Sequence, residues 1–395
     1  MTLFRQIRAV TAMNLRSLPQ RLGTSLVIVI GIAGVVAVLV SVLAMSTGML
    51  RTMNNAGRDD RVIILRNGSA AENGSALPRG AVRLATEDSA IKRDSDGKPI
   101  VSAEAVRLTI LYKKVDGAEV NVTMRGVGPK VLALRPEMKI IDGRMFNPAV
   151  NEIIVGKAAK AQFKGLDIGD KVSTRGATWI VVGTFSSGGD SHESELIADA
   201  DTLISAVGRG GHQSVTVMLR SAAAFQQFKD SLSANPALAV DVHREREYYQ
   251  QQSRTIGRVI TIIAYVVGGI MAIGAVFGAL NTMYSAVSAR LREIATLRAI
   301  GFGSTAMVAS VLAEALLLAL IGGAIGALLA WLFFNGDTVS TSGGGVGGHL
   351  IFELTVSGPL IAIGIIWACV IGLLGGLFPA VRAARLPVAT ALRAV

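Results

Sequence analysis

Few side chains in this 395-residue chain are spaced for chemistry, and the missing motifs are as informative as those present. The phosphate cradle G-x-x-x-x-G-K-[ST] does not occur. The nearest stretch, Val155-Gly156-Lys157-Ala158, lacks the first glycine and the hydroxyl residue that would ligate magnesium. The turn G-x-S-x-G and the zinc helix H-E-x-x-H are also absent. The four histidines, His192, His212, His243 and His349, are scattered. His192 beside Glu193 and Glu195 could serve as a metal or acid–base group, but a solvated loop is the preferred reading. The run Gly343–Gly348 (GGGVGG) follows no strand and opens no helix, so it reads as a flexible loop. Cys369 is the single cysteine, which excludes a disulfide framework or a cysteine-based metal site within one chain.

One carboxylate is out of place. Glu314 interrupts an otherwise apolar run about nine residues beyond the polar connection at 284–305, roughly 13 Å along a helix. A carboxylate in hydrocarbon costs several kcal/mol unless it is paired, protonated or close to the interface. It belongs either to a proton or substrate path or to a structural contact with a neighbouring helix end or a loop arginine. The structural contact is preferred.

The elements that must hold these residues are set by hydropathy. The chain is 51% hydrophobic with a mean hydropathy of +0.50, too apolar for an ordinary soluble protein. Four runs, Leu22 to Leu50, Val259 to Ala289, Ala299 to Gly336 and Leu354 to Val381, reach the length of about 20 residues that a spanning helix needs. The first is too long for the core of a cleaved signal peptide and reads as a retained signal anchor. Residues 46–255 between the first two runs hold 28 Lys+Arg and 24 Asp+Glu, an ordinary soluble composition. The net charge of +11 is a topology signal and not a nucleic-acid signal. Arg5, Arg8, Arg16 and Arg21 precede the first run, Arg290, Arg292 and Arg298 lie in the second connection, and Arg382, Arg385 and Arg393 follow the fourth run. Basic short loops stay in the cytoplasm, so both termini are expected inside and the 46–255 region outside.

Along the chain, Phe4, Ile7, Val10, Ala12 and Leu15 interleave with arginines. This suits a helix lying on the inner membrane surface, or equally a plain membrane-proximal anchor. Strands are expected at Arg61–Leu65, at Val106–Val115 and Glu119–Arg125 around the hairpin signal Asp116-Gly117, and at Asn151–Val155, Lys171–Thr174, Thr178–Phe185 and Val215–Leu219. Ala222–Ala234, with Phe225 and Phe228 at helical spacing, reads as a helix. Residues 244–258 are polar and run into the second span, as a stalk that carries motion or as a spacer. Gly274/Gly278, Gly322/Gly326 and Gly372/Gly376 recur at four-residue spacing, which lets helix backbones approach closely in lipid. Packing within one subunit is preferred, with packing against a second subunit left open. Ser285–Gly303 groups Val287, Leu291, Ile294 and Leu297 on one side and Arg292, Glu293 and Thr296 on the other, with Arg290 and Arg298 near the edge. It reads as a short cytoplasmic helix ended by Gly301 and Gly303, a lever for a soluble motor or an inert interfacial helix.

The order Arg292-Glu293-Ile294-Ala295-Thr296-Leu297-Arg298-Ala299-Ile300-Gly301 resembles the R-E-I-x-x-x-R-A-x-G signature of the MacB/FtsX-type permease family. Glu314–Leu318 with Gly322-Gly323-x-x-Gly326, and the ending Gly375–Ala384 (GGLFPAVRAA), resemble that family's third span and close. Gly143–Phe146, Asn151–Gly156, Gly165–Asp170 and Trp179–Gly183 are similar to its periplasmic core domain. The resemblance implies an α-helical membrane protein of four transmembrane helices, with an α+β extracytoplasmic domain inserted between helices 1 and 2. Its expected parts are an amphipathic cytoplasmic segment (1–21), a first span (22–50), the extracytoplasmic domain (51–243), and a stalk with the second span (244–289). A cytoplasmic coupling helix (290–303), a third span (304–336), an outside Gly-rich loop (337–353), a fourth span (354–381) and a cytoplasmic tail (382–395) complete it.

It further implies a multi-pass permease of the bacterial inner membrane, without enzyme activity or a cofactor of its own. ATP and magnesium would bind a separate cytoplasmic ABC ATPase subunit, docked on Arg290, Arg292, Glu293, Ile294, Leu297, Arg298 and Gly301. A second permease subunit and membrane lipids are the other implied partners, a periplasmic adaptor is left open, and no nucleic acid is involved. MacB-like efflux is preferred, because the signalling relatives usually have smaller outside domains. FtsX-like control of an outside hydrolase and lipoprotein release are the alternatives. An ATPase-independent membrane receptor or enzyme is disfavoured by the Arg292–Gly301 signature and the missing catalytic motifs.

Overall fold

A computed structural model describes residues 3–16, 22–174, 176–208, 211–342 and 348–385. The glycine run at 343–347, Arg175, residues 17–21 and the tail from 386 lie outside them. The chain divides into an apolar unit, Met1–Ser46, Val259–Asp337 and Leu354–Val395, and a soluble unit, Thr47–Arg258 and Thr338–Glu353.

Four helices among the described residues are long and apolar enough to cross a membrane. They are Leu22–Asn55, Glu245–Ala289, Ser304–Phe334 and Gly358–Arg385, here spans one to four. Within the apolar unit, Ile32, Val36, Leu39 and Val40 of span one are fully buried. Glycines set how closely the helices approach. A Cβ on Gly322 of span three would lie 2.8 Å from the carbonyl oxygen of Val29, and one on Gly326 would collide with that of Ala33. Gly372 and Gly376 of span four rest against Ala319 and Ala315 at 2.5 and 2.6 Å by the same measure, and Gly364 rests against Val36 and Val40. Two of the three glycine pairs therefore pack inside the chain. Gly274 and Gly278 of span two do not: nothing lies within 4 Å of a Cβ at either. Only 11% of the most apolar window of span two is buried, against 50%, 39% and 39% for the others.

The N-terminal helix, Leu3–Arg16, packs in the same unit with Val10 buried and Phe4 exposed. The Gln6 side-chain carbonyl accepts the Gly303 N–H at 3.2 Å.

The soluble unit is built on β1 (Arg61–Arg66), β2 (Val101–Tyr112), β3 (Glu119–Val127), β4 (Lys139–Gly143), β5 (Glu152–Gly156), β6 (Lys171–Thr174), β7 (Ala177–Ser186), β8 (Leu196–Asp199), β9 (Ser214–Met218) and β10 (Val240–Arg244). They form one mixed sheet in the order β10-β1-β9-β2-β3-β8-β5-β7-β4, with β6 paired to β7. Pairs β3–β8 and β5–β7 are parallel and the rest antiparallel. Helices Arg79–Thr86, Lys157–Gln162, Ala200–Val207 and Phe225–Ser233 pack on it. One core centres on Trp179, Phe163 and Met124, and another on Phe228, Ile64 and Val217.

Two expectations are corrected. The β2–β3 ladder closes at Tyr112 and Glu119, so Asp116-Gly117 is not a two-residue turn. Lys114 leaves the ladder to donate its N–H to the Gln162 carbonyl, and Gly117 takes a φ of +70° in the wider turn. The segment 337–353 is more than a loop. Thr338–Ser342 and His349–Glu353 pair as an antiparallel hairpin, β11–β12, with Thr338 opposite Glu353. The alternation in HLIFE explains it, since it sends Ile351 into the Trp179 core. There the backbone of Ile351 exchanges hydrogen bonds with the Ser194 hydroxyl at 2.9 and 3.2 Å.

Replacing Gly326 with leucine should cost about 1–3 kcal/mol through overpacking, whereas the same change at Gly274 should leave the stability of an isolated chain nearly unaltered. Thermal unfolding of both variants in lipid nanodiscs provides the comparison.

Candidate functional site

The polar connection between spans two and three is built around a break at Arg290. The long helix stops at Ala289, Arg290 adopts φ −107° and ψ 8°, and a short helix, Leu291–Ala299, follows. Its inner side holds buried Ala295 and half-buried Leu291, Ile294, Leu297 and Arg298, while Arg292, Glu293 and Thr296 are exposed. This matches the division read from helical spacing. Gly301 takes φ +101°, a left-handed conformation that ends the helix. Beneath it, the buried Arg290 guanidinium donates from Nη1 to Glu314 at 3.2 Å. The structural reading of Glu314 thus has a concrete partner, an arginine of the connecting helix. A void of about 20 Å³, room for roughly one water, lies among Val10, Met307, Arg290 and Glu314.

The soluble unit contains a second assembly that motif reading missed. Arg125 on β3 is enclosed by three carboxylates: Glu72 at 2.8 Å, Glu104 at 2.8 Å and Glu195 at 2.7 Å. Sheet register explains two of them. Arg125 pairs with Val106 across β2 and with Ile197 across β8, which puts Glu104 and Glu195 diagonally beside it on the same face. Arg135 donates to Glu104 at 3.2 Å and to Glu245 at 2.6 Å. Arg61 at the start of β1 reaches Glu245 at 2.5 Å and also pairs with Glu137. Glu245 is the first residue of the helix that becomes span two, where a carboxylate also complements the helix dipole. The Ser214 hydroxyl donates to Glu72, and the Tyr248 hydroxyl accepts the Glu72 N–H.

His192 belongs to this cluster, which overturns its reading as part of a solvated loop. It is fully buried, with Nδ1 3.1 Å from Glu195 and Nε2 3.5 Å from the Tyr249 hydroxyl. The local cause is the Asp190 side chain, which caps a 3₁₀ turn at Ser191–Ser194 by accepting the His192 N–H and folds the segment inward. Among the described residues no group of three or more His, Cys, Asp and Glu could hold a metal ion. Charge balance is instead supplied by arginines. The available signal was a set of isolated charges, Glu104, Arg125 and Glu195, at positions where strand alternation calls for buried residues.

Burial alone would raise the carboxyls of Glu104, Glu195 and Glu245, but neighbouring positive charges outweigh it. Arg135 and Arg125 hold Glu104 below its ordinary value, Arg125 and His192 hold Glu195 far below, and Arg135 and Arg61 lower Glu245.

A family model described as MacB-like periplasmic core domain matches residues 22–235, and one described as FtsX-like permease C-terminal matches residues 265–388. The chain belongs to the MacB/FtsX-type ABC transporter permease family. The permease is 23% identical over 397 residues to "Macrolide export ATP-binding/permease protein MacB" of Bdellovibrio bacteriovorus, a match covering 92% of this chain and 58% of that protein. It therefore spans little more than half of that relative. It is also 24% identical to "Uncharacterized ABC transporter permease YknZ" of Bacillus subtilis, over 75% of each chain. The crystal structure of the periplasmic region of MacB from Actinobacillus actinomycetemcomitans aligns at 15% identity with a TM-score of 0.38, covering 51% of this chain and 96% of that one. The second family model contains the connecting helix, and the first contains Arg61, Arg125 and Glu195.

Two outcomes are expected of the permease's charge cluster. Glu104→Gln leaves two buried guanidiniums short of a counter-charge and should destabilise the soluble unit by about 3–5 kcal/mol. Chemical unfolding followed by Trp179 fluorescence, with Trp331 and Trp367 replaced by phenylalanine, would measure it. The pH dependence follows from the depressed carboxyls of Glu104, Glu195 and Glu245. They bind fewer protons folded than unfolded, so their contribution is present above the ordinary value of 4.5 and is lost as pH falls below it. Melting temperatures should therefore decline progressively as the pH is lowered from about 5.

Proposed function

We propose that this chain is the permease subunit of an exporter of the bacterial inner membrane, with both termini cytoplasmic and the soluble unit outside. In this reading a separate cytoplasmic ATPase chain binds ATP and magnesium and docks on the connecting helix. The observation that carries it is the connecting helix itself. Its exposed Arg292, Glu293 and Thr296 form a polar face while its other side is embedded, and Arg290 anchors its start to Glu314 of span three. A force applied to that helix would be borne by the charge pair instead of being lost in a slack loop. The unbroken 45-residue helix from Glu245 to Ala289 offers a stiff route from the membrane to the soluble unit. The low burial of the most apolar window of span two, with Gly274 and Gly278 open, supports a second permease subunit seated there.

The test is reconstitution with the ATPase chain in liposomes. Reversing charge at the exposed face (Arg292→Glu with Glu293→Lys) should lower permease-stimulated ATP hydrolysis at least tenfold while the fold, judged by thermal unfolding, is retained. Unchanged stimulation would overturn the docking assignment. Reporter fusions within residues 100–240 should mark an extracytoplasmic position. Release of a substrate on ATP turnover separates export from the alternative of activating an outside hydrolase.

A further inference from the structure

Within the soluble unit a cavity of about 520 Å³ opens between the loop after β1, strand β10 and the first turns of the long helix. That volume falls in the range of about 300–1,000 Å³ usual for small-molecule sites. Its walls are chemically unequal. Leu65, Ala71 and Ile256 give an apolar side, while Asp241, Gln251 and Thr255 give a hydrogen-bonding side. Among the described residues no lysine or arginine lines it, and Asp241 is its only carboxylate. Asp241 is thus the one acid of the site, and His243, two residues on along the same strand, lines it as well.

The acid is held in place by the loop opposite. One Asp241 oxygen accepts the Gly68 N–H at 2.8 Å, and Gly68 has the φ of +77° that folds the loop over the cavity. The floor is fixed by the Tyr248 hydroxyl, which is bound to the Glu72 N–H. Gln252 flanks the same space, with its side chain beside the Tyr248 hydroxyl. Ile256 stands three residues before Val259, where the apolar run begins, which suits a membrane-partitioning molecule better than a freely soluble one.

We propose that this cavity is a binding site for an amine-bearing amphiphile, with its ammonium at Asp241, further donors or acceptors at Gln252, and its apolar part against Leu65, Ala71 and Ile256. The assignment rests on the cavity and is independent of how the permease couples to an ATPase.

The test uses the full-length permease alone in phosphatidylcholine nanodiscs, with a diazirine-bearing dodecylamine as the probe. Adducts mapped by mass spectrometry are expected on residues 68–71 and on Gln251–Ile256, suppressed by excess dodecylamine and not by dodecyl sulfate. Asp241→Asn keeps the acceptor for Gly68 and should weaken labelling at this site about tenfold without lowering the melting temperature. Ala71→Trp fills the cavity and should abolish the adducts; Ala70→Trp, at an exposed position of the same loop, replaces it if it does not fold. Adducts confined to the spans, equal suppression by dodecyl sulfate, or labelling unaffected by these substitutions would each overturn the proposal. No ATPase is present in the assay, so its failure leaves the coupling reading untouched.

Discussion

Arg125 is the residue around which the soluble unit is organised. A guanidinium removed from water is tolerable only if every side of it meets an acceptor, and here Glu72, Glu104 and Glu195 supply them from three separate segments. Arg135 and Arg61 extend the constraint to Glu245, the first residue of the helix that runs on into span two. The second half of β3 is buried on both faces, where apolar side chains alone would specify register weakly, but a buried charge array specifies it sharply. A one-residue shift of β3 would turn Arg125 to the opposite face of the sheet, taking from Glu72 its guanidinium and leaving Glu104 with Arg135 alone and Glu195 with His192 alone. The same electrostatic lock thus specifies both the sheet and the origin of the long helix.

The apolar unit is specified by different physics. Lipid offers little hydrophobic drive for helices to associate, so close van der Waals contact does the work. Glycines 322, 326, 364, 372 and 376 bring spans one, three and four to near-backbone contact. Glu314 is the exception to this apolar packing, and its cost is met by Arg290, which comes from the neighbouring connection and not from another span. The pair makes the break after Ala289 a defined corner.

Much of this was legible from residue order. The spans followed from hydropathy alone, because length and apolarity are strong signals. The two faces of the connecting helix followed from 3.6-residue spacing, with Leu291, Ile294 and Leu297 half-buried and Arg292, Glu293 and Thr296 exposed. The charge cluster was illegible for a physical reason: its members are separated by up to 184 residues, from Arg61 to Glu245, and meet only through strand order. His192 was misread because neighbouring acids usually mark solvated loops, and nothing local reveals that Asp190 folds the turn inward. The β11–β12 hairpin hid behind its glycines, since HLIFE is short and its role depends on a pocket formed by Trp179 and Phe163, far away in sequence.

That hairpin changes where the soluble unit can be said to begin and end. Its larger part is one continuous stretch, but sixteen residues, Thr338–Glu353, are contributed from between spans three and four. A recombinant fragment cut at Thr47 and Arg258 would be an incomplete module, with an unfilled slot where Ile351 belongs and unmatched polar groups at Ser194, Gln162 and Asn121. Exchanging the stretch Thr47–Arg258 between family members as a cassette would separate it from the strand pair against which its core is packed.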